Sequence, residues 1–135
     1  MATFAFELVS PERLLISEQV DEVTAPGVEG EFTVLAQHAP FITTLRPGIV
    51  TVKTAGNVQR LYVRGGFAEV NPDGLTILAD FALPAAELNA EAFARETKLA
   101  EDALAHAHDD ETRRRAQQRI DWLSDVQKSQ SAAAH

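Results

Sequence analysis

Glycine and proline are confined to the first 84 residues of this 135-residue chain. All seven glycines lie between Gly27 and Gly74, and all six prolines lie between Pro11 and Pro84. The residues that follow are rich in Ala, Glu, Gln and Arg. Because glycine and proline mark turns, whereas those four residue types favour helices, the two parts need different folds. The sequence predicts a boundary within residues 82–88, with turn-rich structure before it and helices after it.

The first part has the pattern of short antiparallel strands. Phe4, Phe6 and Leu8 occupy every second position, which is the period of a half-buried strand. Further segments rich in β-branched and aromatic residues follow at Leu14–Ile16, Val20–Thr24, Phe32–Leu35, Ile42–Leu45, Ile49–Lys53, Leu61–Val63, Phe67–Val70 and Leu75–Leu78. About nine strands with no helical pattern between them are typical of a β-sandwich or a flattened barrel.

The segments between these strands contain turn residues. The pairs Pro26-Gly27 and Pro47-Gly48 suit type II turns, in which glycine supplies a positive φ. The run from Asn71 to Gly74 suits a type I turn, and Gly56-Asn57 marks another hairpin. Gly65-Gly66 predicts a bulge or a close backbone contact inside the sheet.

The second part has the pattern of two helices. Asn89 suits the N-cap of a helix that runs to about Ala105, and Asp109 or Asp110 suits the cap of a second helix. Apolar residues recur at helical spacing at Phe93, Ala100, Ala103, Leu104 and Ala107, and then at Ala116, Ile120 and Leu123 with Trp122 and Val126 beside them. Because these stripes are narrow and rich in alanine, we expect a weakly packed hairpin that is a candidate moving part.

Charge and composition exclude several classes of function. The net charge of −8 and a pI of about 4.9 disfavour binding to nucleic acid or to anionic lipid. The absence of cysteine excludes disulfides, thiol catalysis and Cys-ligated zinc. No apolar run approaches the roughly 20 residues that span a bilayer, and the N-terminus has no basic or Arg-rich leader.

No combination of residues in the sequence indicates catalysis. Phosphate-loop, dinucleotide and G-x-S-x-G motifs are missing, and nothing assembles a nucleophile with a base. His106 and His108 lie two apart and point to different sides of a helix, which indicates a solvated helix end rather than a metal site. One dense positive cluster is either a solvated helix face or a contact for an anion or an acidic protein, and it comprises Arg113, Arg114, Arg115 and Arg119. These residues favour a non-catalytic interaction protein in two parts.

Six motifs in a fixed order make this interpretation more specific. They are Val9-Ser10-Pro11-Glu12, Val23-Thr24-Ala25-Pro26-Gly27 with Glu29-Gly30-Glu31, His38-Ala39-Pro40, Leu45-Arg46-Pro47-Gly48, Gly65-Gly66-Phe67-Ala68-Glu69-Val70 and Leu78-Ala79. With the two helices that follow, this series resembles the epsilon subunits of F-type ATP synthases, the counterparts of the mitochondrial delta subunit. The resemblance covers residues 3–128.

The resemblance implies a fold and a role. The fold is an antiparallel β-sandwich of about ten strands over residues 1–83, followed by a regulatory helical hairpin over 88–128. Residues 129–135 are expected to form a flexible tail. The implied role is that of a non-catalytic rotor subunit, without a cofactor, which couples rotation of the c-subunit ring to ATP synthesis. In many relatives the hairpin extends along the gamma subunit and inhibits ATP hydrolysis.

The resemblance also implies partners and contact residues. The sandwich is expected to bind gamma and to present Glu29, Glu31 and His38 to the c-ring. The extended hairpin is expected to meet the alpha and beta subunits, with an acidic loop of beta facing the second-helix arginines Arg113, Arg114, Arg115 and Arg119. We expect a peripheral protein on the cytoplasmic face of a bacterial inner membrane, in contact with that membrane only through the complex, with no nucleic-acid partner.

A second function remains open, because some bacterial relatives bind ATP in the folded hairpin through a motif like [IL]-D-x-x-R-A. The matching stretch here starts at Leu88, and only that residue agrees. Asn89 replaces the Asp, Ala92 the Arg and Phe93 the Ala. Losing a carboxylate acceptor and a guanidinium donor removes charge-assisted contacts, so we expect ATP binding to be weak or absent.

Overall fold

The computed structural model describes residues 2–133, and within them the chain forms two compact units that divide between Ala86 and Glu87. The described part of the first unit contains ten strands, and that of the second contains two helices, which confirms the predicted fold class. The strands are β1 (Phe4–Val9), β2 (Leu14–Val20), β3 (Glu22–Gly27), β4 (Gly30–Val34), β5 (Phe41–Leu45), β6 (Gly48–Thr54), β7 (Asn57–Val63), β8 (Gly66–Asn71), β9 (Gly74–Ala79) and β10 (Ala82–Pro84). The three residues of β10 are too few to show an alternating pattern.

The strands pair in the order β10-β7-β6-β3-β5-β8-β9-β1-β2, and β4 adds to β3. The pairs are antiparallel except that β1 and β9 run parallel, which adds one parallel ladder to the predicted arrangement. The sheet folds over on itself, because β2 also contacts β6. Across the fold Gln59 Nε2 on β7 donates to Glu18 Oε1 on β2 at 3.1 Å. The result is a sandwich.

Every strand contributes to one apolar core. Its largest fully buried side chains include Phe6, Leu8, Leu75 and Ile77, and valines fill much of the remaining interior. In β1 buried and exposed residues alternate from Phe4 to Leu8, as the sequence pattern predicts. Because burial of one such side chain contributes roughly 1.5–3 kcal/mol, this core is the main source of stability for the first unit.

Both of the predicted proline–glycine turns differ from the structure. Pro26 and Gly27 end strand β3, and the turn that follows consists of Val28 and Glu29. Gly48 begins β6 without a positive φ. It is required for a different reason, since a Cβ there would lie 2.6 Å from the Cβ of Pro26. Gly27 also serves close packing, since a Cβ there would lie 2.7 Å from the carbonyl oxygen of Gly30.

The other turn predictions are confirmed. Ala55 and Gly56 both have positive φ, 46° and 88°, which is the geometry of a type I′ turn between β6 and β7. The β8–β9 turn is fixed by Asn71 Oδ1, which accepts bonds from the backbone N–H groups two and three residues on. Gly66, whose φ is 132°, lies so close to the backbone of β9 that a Cβ at this position would overlap the carbonyl oxygen of Leu78.

The second unit contains α1 (Ala90–Ala105) and α2 (Asp110–Ala133). Asn89 caps α1, and its Oδ1 accepts the backbone N–H of Ala92 at 2.9 Å. Asp109 caps α2, and its Oδ1 accepts the backbone N–H of Thr112 at 2.7 Å. Among the described helices, neither has the length and apolar character to cross a bilayer.

The helices differ from the sequence pattern in two details. The buried positions of α1 are Ala92, Glu96 and Ala100, whereas the predicted stripe residue Ala103 is exposed. The second helix continues to Ala133, because nothing after residue 128 breaks a helix, so residues 129–133 do not begin the predicted tail. Residues 134 and 135 lie outside the described range. On α2 the predicted stripe is confirmed, with Ala116, Leu123 and Val126 buried.

Candidate interaction surfaces

The three residues expected to face the c-ring lie on β4 and on its two flanking connections. Glu29 is exposed in the turn between β3 and β4, and Glu31 is exposed on β4. His38 is half-buried in the loop between β4 and β5. Because β4 pairs only with β3, this region is an open edge of the sandwich.

Aromatic contacts fix the His38 loop against the sandwich. The Phe41 ring lies 5.6 Å from the His38 ring and 5.3 Å from the Phe32 ring, measured between centroids. Phe32 precedes the exposed Thr33 and follows Glu31, so the same strand packs inward through Phe32 and presents Glu31 outward. Among the described residues, no hydrogen bond or ion pair joins Glu31 to His38. They are separate polar positions on one edge.

A second surface, which the sequence pattern did not predict, is the outer face of the sheet formed by β5, β8, β9, β1 and β2. Neighbouring strands place four apolar residues in one row, in the register Leu14, Val9, Leu78 and Phe67. The exposed fractions of Leu14, Leu78 and Phe67 are 58%, 47% and 52%. Ile42 on β5 is 72% exposed on the same face. The only sign of this face in the sequence is that apolar residues occupy strand positions expected to be polar. That sign is weak, because single exposed apolar residues are common.

The predicted arginine cluster on α2 is exposed and does not form one face. Arg113 pairs with Asp110 at 3.0 Å, and Arg115 pairs with Glu111 at 2.6 Å. Arg114 and Arg119 have no ion pair among the described residues. Successive residues turn by about 100° around a helix, so Arg115 and Arg119 share one side.

Arg113 and Arg114 instead line a shallow cavity with Leu104, Asp110 and Gln117, of about 520 Å³. This cavity lies at the end of the hairpin where the two helices are joined. Because Arg113 and Arg114 line this cavity while Arg115 and Arg119 lie elsewhere around α2, the four arginines do not form one contiguous patch.

The positions of the possible nucleotide motif have structural roles. Asn89 Oδ1 is used in the cap of α1, and Ala92 is 5% exposed. The acceptor oxygen of Asn89 is therefore already occupied, and the side chain of Ala92 has no polar group that could bind a ligand. At the other end of the hairpin, His106 Nδ1 lies 2.7 Å from the carbonyl oxygen of Asp102 and completes the end of α1. Within the described residues, no group of three or more His, Asp or Glu side chains is placed to hold a metal ion.

Comparison with known proteins identifies the family. The profile described as "ATP synthase, Delta/Epsilon chain, beta-sandwich domain" matches residues 3–85. The chain is 52% identical over 122 residues to the ATP synthase epsilon chain of Parvibaculum lavamentivorans, covering 90% of this chain and 92% of that one. It is 49% identical over 134 residues to the epsilon chain of Rhodopseudomonas palustris strain BisA53, covering 99% and 98%.

Solved structures have the same fold. A chain in the Euglena gracilis mitochondrial ATP synthase structure, described as OSCP/F1/c-ring, matches with a TM-score of 0.72 and 28% identity over 100% of this chain and 83% of that chain. A chain in the Tetrahymena thermophila mitochondrial ATP synthase structure matches with a TM-score of 0.59, 16% identity and coverage of 67% and 72%.

The first unit is therefore a β-sandwich of the class found in the delta and epsilon chains of ATP synthases. The chain belongs to the ATP synthase epsilon chain family.

Proposed function

We propose that the chain is a central-stalk rotor subunit of a proton-translocating F-type ATP synthase, and that it has no catalytic role of its own. The full-length relation to epsilon chains supports this role. The chain would be peripheral, on the cytoplasmic face of a bacterial inner membrane, and attached to that membrane only through the complex. Its task would be to couple c-ring rotation to ATP synthesis at the alpha and beta subunits.

The observation that carries this proposal is the apolar row on the outer face. Water-exposed Phe67, Leu78 and Leu14 lie side by side on neighbouring strands, with Ile42 nearby. Contiguous apolar patches on a monomer commonly mark a protein contact, because their burial is favourable by roughly 25 cal/mol per Å². A rotor subunit needs a contact that persists while torque is transmitted. We assign the gamma subunit to this face.

Binding to purified gamma subunit tests the assignment. We expect Phe67→Ser to weaken binding by roughly 10- to 100-fold, because buried aromatic anchors often contribute 2 kcal/mol or more. Val58→Ser is the matched control, since Val58 is 53% exposed but lies on β7, away from this face. Equal affinities for the two variants would overturn the assignment. Failure of the unaltered chain to bind gamma would overturn the proposed function.

The edge formed by Glu29, Glu31 and His38 is proposed to face the polar loops of the c-ring. All three positions are at least partly exposed, so each is expected to contribute about 1 kcal/mol or less. Single alanine variants should weaken coupling slightly, whereas Glu29→Lys with Glu31→Lys should lower ATP-driven proton pumping clearly. Pumping that equals the unaltered level in the double variant would count against this contact.

The hairpin is proposed to inhibit ATP hydrolysis when it extends toward the alpha and beta subunits. Arg114 and Arg119 have no ion pair within the described chain, so each is suited to bind an acidic group of beta, from its own side of α2. Replacing all four cluster arginines by Gln should raise ATP hydrolysis by the assembled enzyme. We expect Arg114→Gln with Arg119→Gln to give most of that increase, and Arg113→Gln with Arg115→Gln to give less. Unchanged hydrolysis in the fourfold variant would show that the cluster is only solvated.

Nucleotide sensing by the hairpin is the alternative function, and the structure favours it less. The acceptor of Asn89 already binds the backbone of α1, and Ala92 offers no group for phosphate. We expect calorimetric titration of the isolated chain with ATP to give a dissociation constant well above the micromolar range. A low-micromolar value would establish the alternative instead.

A further inference from the structure

Next to the apolar row, the outer face carries a second row that contains two carboxylates. In this row Ser17, Glu7, Thr76, Glu69 and Ile42 follow one another across β2, β1, β9, β8 and β5. Glu7 and Glu69 point outward, because their strand neighbours on both sides point into the core. Adjacent strands lie about 4.8 Å apart, so the two glutamates stand on strands about 10 Å apart with Thr76 between them.

Neither carboxylate is neutralised by the described part of the chain. Glu7 and Glu69 are exposed, and no ion pair or hydrogen bond within residues 2–133 involves the side chain of either. At a separation of about 10 Å their repulsion is weak in water, but it rises when a partner covers the face and excludes water. The apolar row would bring a partner to this place. A partner that is apolar throughout would leave two carboxylates covered and unpaired, which is costly.

We infer that the subunit that docks on the outer face places a basic side chain over Thr76, between Glu7 and Glu69, beside an apolar strip that covers Phe67 and Leu78. This inference rests on the proposed docking of gamma and names the chemistry of the docked surface. The apolar row would then hold the complex together, while the two carboxylates attract and align the partner. Charges of this kind act mainly on the rate of association, whereas buried apolar anchors act mainly on the rate of dissociation.

Stopped-flow association of the full-length chain with purified gamma subunit, at several salt concentrations, separates the two contributions. We expect Glu7→Gln with Glu69→Gln to lower the association rate at low salt by about threefold to tenfold and to flatten its dependence on salt. Phe67→Ser should instead raise the dissociation rate and leave the salt dependence unchanged. Glu87→Gln with Glu101→Gln is the control, because it removes the same charge from other elements, and it should change the association rate by less than twofold.

The outcomes distinguish the inference from the proposed function. If Phe67→Ser weakens binding but the Glu7 and Glu69 variant associates like the control, the charge pairing is wrong and the docking face stands. If the unaltered chain does not bind gamma, the proposed function and this inference both fail. Glutamine is close to glutamate in size, and both positions are exposed, so thermal unfolding should show an intact sandwich in the double variant.

Discussion

The two units are stabilised by different kinds of interaction. In the sandwich, distant parts of the sequence meet: β1 pairs with β9, β3 with β6, and side chains of all ten strands share a core. In the hairpin, the described polar bonds are mostly local. Helix caps and pairs four residues apart predominate, such as Arg95 with Glu91 at 3.2 Å. Exposed pairs of this type contribute only about 0.3–0.5 kcal/mol each.

This difference fits a division of labour. A sandwich built from non-local contacts unfolds cooperatively and keeps its shape under load. A hairpin built from local bonds keeps its helices intact in different surroundings, because few of its described bonds depend on a particular neighbour. Buried alanines such as Ala92, Ala100 and Ala116 bring little area to any packed state. The hairpin is therefore the unit in which a change of position is least costly.

The largest expected effect concerns a tight backbone contact in the sandwich. Gly66→Ala would drive a Cβ into the Leu78 carbonyl at a φ of 132°, and we expect it to lower the free energy of unfolding by more than about 3 kcal/mol. Gly30→Ala is the control, because Gly30 has a φ of 136° but no atom within 4 Å of the added Cβ. Urea denaturation measures both. Equal losses would show that backbone strain rather than overlap sets the cost.

A smaller effect is expected at the cap of α1. Asn89→Ala removes the acceptor for the backbone N–H of Ala92 and should destabilise the hairpin by about 1 kcal/mol. Asn89→Asp, which keeps an acceptor, should restore helix content. The chain has one tryptophan, Trp122 in α2, and one tyrosine, Tyr62 in β7, so their fluorescence reports the two units separately. A shift in the tyrosine transition alone would contradict the local role of the cap.

Acid should loosen the start of α2. The backbone N–H of Thr112, together with its hydroxyl and the charges of Arg115 and Arg113, lowers the pKa of Asp109 below its ordinary value of 3.8. A carboxyl group with a lowered pKa contributes stability above its ordinary pKa, and that stability is lost as the pH falls through the lowered value. Circular dichroism should show helix loss beginning below about pH 4. Asp109→Asn should remove this part of the acid dependence, and an identical acid profile would exclude it.

The smallest expected effect is that of the hairpin on the sandwich. A chain that ends at Ala86 contains all the residues of the sandwich core, so its free energy of unfolding should change by no more than about 1 kcal/mol. The tyrosine signal during urea denaturation measures this. Loss of a cooperative transition in the shortened chain would show that the two units depend on one another.

Local features were predicted well because their causes are local. The alternation in β1, the hairpin at Gly56, the cap Asn89 and the choice of Asp109 or Asp110 as the second cap depend on residues a few positions apart. The class of the fold followed from the number of such segments. The motifs in fixed order supplied the family, which composition alone did not indicate.

Non-local features could not be read from the pattern. The parallel pairing of β1 with β9 joins residues about 70 positions apart, and no local signal specifies it. The role of Gly48 depends on Pro26 of the neighbouring strand β3, so a packing glycine was interpreted as a turn glycine. The outer face was missed for the same reason, since Leu14, Leu78 and Phe67 become one surface only when the register is known. Which partner residues meet the polar edge and the arginines stays a prediction.

The parallel ladder between β1 and β9 also constrains how the sandwich folds during translation. Strand β1 lies in the sheet between β2, which is translated directly after it, and β9, which is translated about 70 residues later, so one edge of the β1–β2 hairpin stays unpaired until most of the sandwich has been made. Synthesis of the helical second unit then takes roughly 2–10 s at typical elongation rates. During that interval the helical residues keep the sandwich attached to the ribosome, which gives β9 time to pair with β1 while translation continues.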